Sequence, residues 1–135
     1  MAITTALTAC SKPSDEQTII GRSDIKIENG RLTPEALWAF GRLGDMQVSP
    51  DGKQIAYGVS YYSVPENRSN REIFVMNSDG SDAQQITHSA KSEYSARWVK
   101  NGQKIAFLTS ESGDVQLWEM NPDGTERTQI TNRTG

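Results

Sequence analysis

From Gln47 onward, the pattern of apolar and polar positions along the chain occurs twice. Short runs of β-branched and aromatic residues alternate with polar pairs in which aspartate or asparagine precedes glycine. The opening part of the pattern returns after 50 residues and the closing part after 44, so the first copy carries six extra residues. Strand-forming runs separated by such pairs predict antiparallel hairpins. Each copy is therefore expected to supply four short strands.

The turn pairs hold matching places in the two copies: Asp51-Gly52 and Asn101-Gly102, then Asp79-Gly80 and Asp123-Gly124. Glycine provides the positive φ that a tight turn needs, and the preceding polar side chain can cap the turn. A repeat of about 40 to 45 residues with four strands is the signature of a propeller blade. The sequence therefore predicts an all-β fold with about two four-stranded antiparallel blades of a β-propeller, over residues 45–88 and 89–135.

Two polar segments of the first copy invite a functional interpretation. The six extra residues fall within Ser63 to Asn70, which predicts a long loop, either a partner or substrate contact or a tolerated insertion. Residues 77–82 superficially resemble an acidic calcium loop, but they lack its helical flanks and its terminal bidentate glutamate. A hairpin turn is expected there.

A short helix is predicted within residues 32–44, ahead of the blades. Thr33 offers an N-cap hydroxyl, Pro34 suits the first helical position, and Glu35 faces the helix dipole. The helix should run from Pro34 to about Phe40 and end at the glycines that follow. Its apolar side would come from Leu37, Trp38 and Phe40, with Leu32 and Leu37 flanking the cap. A helix this short must pack on something to be stable.

The first ten residues end in Leu7-Thr8-Ala9-Cys10, which resembles a bacterial lipobox with Cys10 as the lipidated residue. The alternative is an untied N-terminus with an incidental cysteine, since a basic n-region is missing and the apolar run is short. Residues 11–31 then form a tether with an extended segment, Ile25 to Glu28, closed by Asn29-Gly30. The lipobox predicts a lipoprotein in the periplasm or anchored to the outer membrane, attached to the membrane by lipid alone.

Composition narrows the classes of function. The net charge of −3 gives no basic surface for phosphates, so nucleic acid is not an expected partner. The one cysteine rules out an intrachain disulfide and a cysteine-based zinc site, and His88, the one histidine, is expected to be solvated. No catalytic, cofactor-binding or metal-ligating residue is assigned.

Two blades alone would leave apolar outer faces bare. Propellers close with about four to eight blades, and each blade needs neighbours. The side chains expected on those faces are of the kind of Tyr57, Phe74, Phe107 and Trp118. The chain is therefore expected to be the front of a longer protein, or else to assemble with copies of itself into a ring.

Residues 32–38 and 41–45, leading into 48–53, resemble the start of the propeller in the prolyl oligopeptidase family of serine peptidases, specifically its acylaminoacyl-peptidase and dipeptidyl-peptidase branch. The resemblance covers about residues 32 to 131, although the blade turns also recur in TolB-type propellers. It implies a propeller that caps an α/β-hydrolase domain and filters the peptides that reach a Ser-Asp-His triad. The alternative is a TolB-like propeller without enzymatic activity that acts as a periplasmic binding platform.

The catalytic residues of that family are not expected in this chain. Neither Gly58-Val59-Ser60 nor Gly21-Arg22-Ser23 continues into the Gly-x-Ser-x-Gly elbow that carries the nucleophile. In dipeptidyl members, propeller acids can hold the amino terminus of the substrate. No motif gives that task to the three acids of the second blade, which are expected to face solvent: Glu93, Glu111 and Glu119.

Overall fold

The computed structural model describes residues 17–134. A short helix, α1 (Pro34–Ala39), precedes two four-stranded antiparallel sheets. The first sheet contains β1 (Arg42–Val48), β2 (Gln54–Ser63), β3 (Arg68–Asn77) and β4 (Gln84–Gln85). The second contains β5 (Glu93–Val99), β6 (Lys104–Thr109), β7 (Gln116–Met120) and β8 (Thr128–Gln129), with a 3-10 turn at Lys100–Gly102. In each sheet the strands lie side by side in chain order, which confirms the two predicted blades.

The turns between the third and fourth strands are the same in both blades. The Asn77 N–H donates to the Ser81 carbonyl at 2.9 Å, and the Asn121 N–H donates to the Thr125 carbonyl at 2.8 Å. The glycines of these turns have φ values of 86° and 85°, as the turn pairs predicted. Residues 77–82 are thus a hairpin turn, and the calcium-like resemblance has no structural counterpart.

A bulge interrupts the first strand of each blade. The pairing of β1 with β2 shifts between Gly44 and Gln47, and that of β5 with β6 shifts between Tyr94 and Arg97. The bulged residues, Asp45 and Ser95, have positive φ values of 54° and 58°. These matching bulges lie 50 residues apart, which is the offset of the opening half of the repeat.

The hydrophobic core lies between the two blades. Ala56, Ile73 and Val75 of the first blade are buried with Phe107 and Met120 of the second. The indole N–H of Trp98 also donates to the Gln47 carbonyl at 3.0 Å, so β5 is joined to β1 across the blade boundary. This seam buries one face of each sheet.

The large aromatic residues differ in their exposure. Tyr57 and Phe74 stack with ring centroids 5.5 Å apart and remain partly exposed on the far face of the first blade. Phe107 is 0% exposed, and Trp118 packs against the core. The prediction that all four would lie on bare outer faces was therefore wrong for Phe107 and Trp118, because their side of the second blade packs on the first.

Half of the predicted loop from Ser63 to Asn70 is strand. Pairing between β2 and β3 continues to Ser63 opposite Arg68, so the turn itself is residues 64–67. Tyr62 donates its hydroxyl to Asn67 Oδ1 at 2.5 Å, and Asn67 has a φ of 47°. The extra residues lengthen a hairpin, because Tyr61 and Tyr62 favour extended backbone.

The leading helix begins as predicted, with the Ala36 N–H donating to Thr33 Oγ1 at 3.2 Å. Its buried residue is Ala36, whereas Leu37 is 51% exposed, so the predicted apolar side is largely open. β1 begins at Arg42, and the first blade thus starts before residue 45.

The tether shows the predicted turn at Asn29-Gly30, with φ values of 54° and 65°. The predicted extended segment before it belongs to neither sheet. Cys10 lies outside the described residues. Within residues 17–134, no helix combines the length and apolar character needed to cross a bilayer.

Candidate functional site

Two carboxyl groups meet where the connection between the blades enters the second sheet. Glu72 on β3 and Glu93 at the start of β5 are both 0% exposed. Glu72 Oε2 accepts a hydrogen bond from the Thr87 hydroxyl at 2.6 Å. Its Oε1 accepts from the Asn70 amide at 2.7 Å and from the Ser89 N–H at 3.2 Å. The connection between the blades therefore wraps the Glu72 carboxyl.

Glu93 forms an ion pair with Arg127. Arg127 Nη2 lies 3.0 Å from Glu93 Oε1 and 2.5 Å from Glu111 Oε2, with its guanidinium above the Phe107 ring. The expectation that Glu93 faces solvent was wrong, because β5 carries it into the seam. Glu111 is exposed, and Glu119 is only partly exposed and pairs with Lys100 at 2.6 Å.

Burial and the neighbouring acid keep a proton on Glu72. The pKa of Glu72 is raised to about 8, first by desolvation and then by a hydrogen bond to the Glu93 carboxyl and by the charge of Glu93. The hydrogen bonds from Thr87 and Asn70 act in the opposite direction and are outweighed. Glu93 Oε2 has no other hydrogen-bond partner in the described part of the chain, so a protonated Glu72 can donate to it. Two adjacent carboxyls that share one proton avoid the cost of two buried charges.

The second blade builds the same cage around an amide. Gln116 lies 44 residues after Glu72. Its Oε1 accepts from the Thr131 hydroxyl at 2.7 Å and from the Arg133 N–H at 3.1 Å. Glu72 and Gln116 were not predicted as equivalent positions, although the repeat offset of 44 aligns them. The acid partner Glu93 could not have been found that way, because the equivalent residue of the first blade is Leu43.

An open groove lies beside α1 at the tip of the long hairpin. It encloses about 600 Å³ between the tether, the helix and the β2–β3 turn. Trp38 and Tyr62 line it with their ring centroids 4.8 Å apart, and Glu35 and Glu66 add carboxylates. Arg68 beside the turn donates to the Thr18 carbonyl, which holds the tether against the hairpin. The groove thus has aromatic walls and carries charges of both signs, since Arg22 also lines it and Glu66 pairs with Arg68.

The remaining candidates gain no chemical role from the geometry. His88 is exposed in the connection after β4. Across residues 17–134, no cluster of three or more histidine, cysteine, aspartate or glutamate side chains has a geometry that could hold a metal ion.

Curated relatives of the chain are peptidases. It is 38% identical over 108 residues to Dipeptidyl-peptidase 5 of Porphyromonas endodontalis, a match that covers 80% of this chain and 16% of the relative. It is 46% identical over 86 residues to Dipeptidyl-peptidase 5 of Porphyromonas gingivalis, covering 64% of this chain and 13% of that one. The chain is an N-terminal propeller part of a prolyl oligopeptidase family peptidase.

No protein-family model matches the chain. The solved structures that resemble this prolyl oligopeptidase propeller part show its fold. The AtxE2 isopeptidase aligns with a TM-score of 0.63 at 19% identity, over 76% of this chain and 20% of that one. The β-propeller domain of the trilobed protease from Pyrococcus furiosus aligns with a TM-score of 0.54 at 19% identity, over 68% and 28%. These likenesses confirm the predicted propeller blades.

Proposed function

We propose that this propeller part selects peptide substrates for an α/β-hydrolase domain of an exported serine peptidase. The observation that carries the proposal is the similarity to two dipeptidyl-peptidases over most of the described chain. The chain spans 16% and 13% of the length of those relatives, so the peptidase activity is proposed for the full-length protein and not for these residues alone. The tightly packed seam between the blades supports a rigid filter, because a flexible ring could not exclude large substrates.

The groove beside α1 is the proposed contact surface for peptides. Its aromatic walls supply apolar contact area at low conformational cost, and rigid blades commonly carry function on the segments that project from them. The long hairpin that builds the groove occurs in the first of the two blades. In the second blade, β6 already ends at Thr109 and β7 begins at Gln116. This difference favours a specific role over a general feature of the repeat.

The test is labelling of the full-length protein with a fluorophosphonate probe, together with a peptide hydrolysis assay. We expect labelling that disappears when the serine of a downstream Gly-x-Ser-x-Gly elbow is replaced. A folded full-length protein that never labels and hydrolyses no peptide would contradict the peptidase. That result would favour the alternative, a TolB-like binding platform.

The groove is tested separately by Trp38→Ala in the full-length protein. We expect KM to rise about tenfold for peptide substrates with kcat little changed, because the lost contact stabilises bound substrate and transition state equally. Val115→Ala is the matched control, since Val115 is an exposed apolar residue of the second blade outside the groove. Equal KM values in the two variants would remove the groove from substrate selection.

Export by a lipid anchor at Cys10 is part of the same proposal, supported by the Leu7-Thr8-Ala9-Cys10 motif. Stable anchoring by thioether-linked acyl chains requires two or more chains. Replacing Cys10 with alanine should move the full-length protein from the membrane fraction to the supernatant after cell fractionation. A wild-type protein already found in the supernatant would overturn the anchor.

A further inference from the structure

A smaller, polar cavity lies at the seam, on the face of β3 opposite Glu72. It has a volume of about 230 Å³, several times the ~30 Å³ occupied by one water molecule. Its walls are one guanidinium and four hydroxyl-bearing side chains, contributed by β2, β3, the blade connection and β5: Ser60, Ser69, Arg71, Ser92 and Tyr94. We call it the Arg71 pocket.

Hydrogen bonds fix the Arg71 guanidinium in place. Arg71 Nη1 lies 2.7 Å from Asp45 Oδ2, and Arg71 Nε donates to Ser60 Oγ at 2.8 Å. The backbone N–H of Arg71 donates to Ser92 Oγ at 3.1 Å. The side chain is therefore held by two residues of the first blade, and its orientation is set before any ligand arrives.

The same bonds leave the pocket rich in donors. Ser60 and Ser92 use their oxygens as acceptors for Arg71, and neither hydroxyl donates a hydrogen bond within residues 17–134. Arg71 Nη2 also has no acceptor within that range, while arginine always remains charged. A cavity that offers several donors and one cation matches a ligand with acceptor oxygens and negative charge.

The repeat shows that this arginine is not required by the blade architecture. The position equivalent to Arg71 in the second blade, 44 residues later, is Val115, which is exposed. Asp45 is matched by Ser95, so the ion pair is also absent there. The pocket is thus an addition to one blade.

We propose that the Arg71 pocket binds a carboxylate group of a peptide, through Arg71 Nη2 and the surrounding hydroxyls. The Asp45 carboxylate already pairs with Arg71 and repels a further anion. The pocket should therefore bind only a carboxylate that accepts hydrogen bonds directly from Arg71 Nη2 and the hydroxyls. This inference rests on the proposed function, since it makes the pocket a subsite for acidic peptides or for a free peptide C-terminus.

The experiment measures calorimetric binding of N-methylated, hydrolysis-resistant peptides to the full-length protein. One pair of amidated peptides differs only by glutamate against glutamine, and a second pair differs only by a free against an amidated C-terminus. We expect the carboxylate member of one pair to bind about tenfold more tightly, as one charge-assisted hydrogen bond provides. The pair that shows the preference identifies the source of the carboxylate.

Arg71→Met should abolish that preference, and Ser92→Ala should weaken it without touching the ion pair with Asp45. Lys104→Met is the matched control, because Lys104 forms a comparable ion pair with Glu126 at 2.8 Å in the second blade. Equal binding within both pairs, or a preference that survives in Arg71→Met, would overturn the inference. Carboxylate binding without hydrolysis of the unmethylated peptides would instead contradict the proposed peptidase function alone.

Discussion

The two blades share one strand order and one set of turns, yet they place equivalent residues in opposite environments. Phe107 and Tyr57 are 50 residues apart and occupy the same register position, since each pairs with an aromatic residue on the third strand. Phe107 is fully buried, whereas Tyr57 remains partly exposed. The repeated sequence therefore specifies the strand pairing, whereas contact with a neighbouring blade determines which face of the sheet is buried.

The largest expected effect comes from emptying the core position of the second blade. Phe107→Ala should lower the free energy of unfolding by about 4 kcal/mol, because it removes a buried ring and leaves a cavity. Tyr57→Ala should cost clearly less in this two-blade chain, where the side chain already meets solvent. Urea unfolding followed by intrinsic fluorescence would measure both.

The loss of unfolding free energy in Phe107→Ala and Tyr57→Ala should also be measured in the full-length protein. If a further blade covers the far face of the first, Tyr57→Ala should there approach the cost of Phe107→Ala. An unchanged, small cost for Tyr57→Ala in the full-length protein would count against a covering blade.

The next effect separates two glycines that have nearly the same backbone conformation. A Cβ on Gly124 would lie 2.3 Å from the Ile86 carbonyl oxygen of the first blade, whereas a Cβ on Gly80 meets nothing within 4 Å. Gly124→Ala should therefore destabilise by about 3 kcal/mol and Gly80→Ala by about 1 kcal/mol, the strain of positive φ alone. Thermal unfolding at matched concentrations would measure both, and equal losses would contradict the close approach of the blades.

The last comparison concerns an acid in the first blade, Glu72, whose equivalent in the second blade is the amide Gln116. The folded-state pKa of Glu72 is raised to about 8 from an ordinary value of 4.5. The folded chain therefore retains a proton that the unfolded chain releases, so Glu72 makes stability fall as pH rises from 4.5 towards about 8. Glu72→Gln should flatten this slope and stabilise the protein relative to the wild type above pH 8, where the wild type carries the buried charge. Urea titrations across this pH range would measure the slope.

Gln116→Glu is the reciprocal variant. It places an acid in the cage of the second blade, where Thr131 and the Arg133 N–H already donate to the side chain. Burial at this position should raise the pKa of the introduced carboxyl as it does for Glu72, so stability should fall more steeply with rising pH than in the wild type. A Glu72→Gln variant with the wild-type slope would show that Glu72 does not hold the proton.

Much of the fold could be predicted because the information is local. The turn pairs required positive φ at Gly80 and Gly124, and strand-forming runs between them fixed the antiparallel order. The hairpin tip was predicted less well. A polar composition predicted a loop there, but β2 and β3 remain paired as far as Tyr62 opposite Ser69 and beyond. The candidate site was largely missed, since Glu93 is an ordinary polar residue until β5 places it against Glu72.

The repeat, its turns, the helix start at Thr33 and the number of strands in each blade could be predicted from the amino-acid sequence alone. These features depend on backbone preferences and on contacts between residues close along the chain. The burial of Phe107, the meeting of Glu72 with Glu93 and the donor-rich pocket around Arg71 follow from the tertiary structure alone. Those properties arise where two sheets pack, because burial and charge proximity depend on which faces meet.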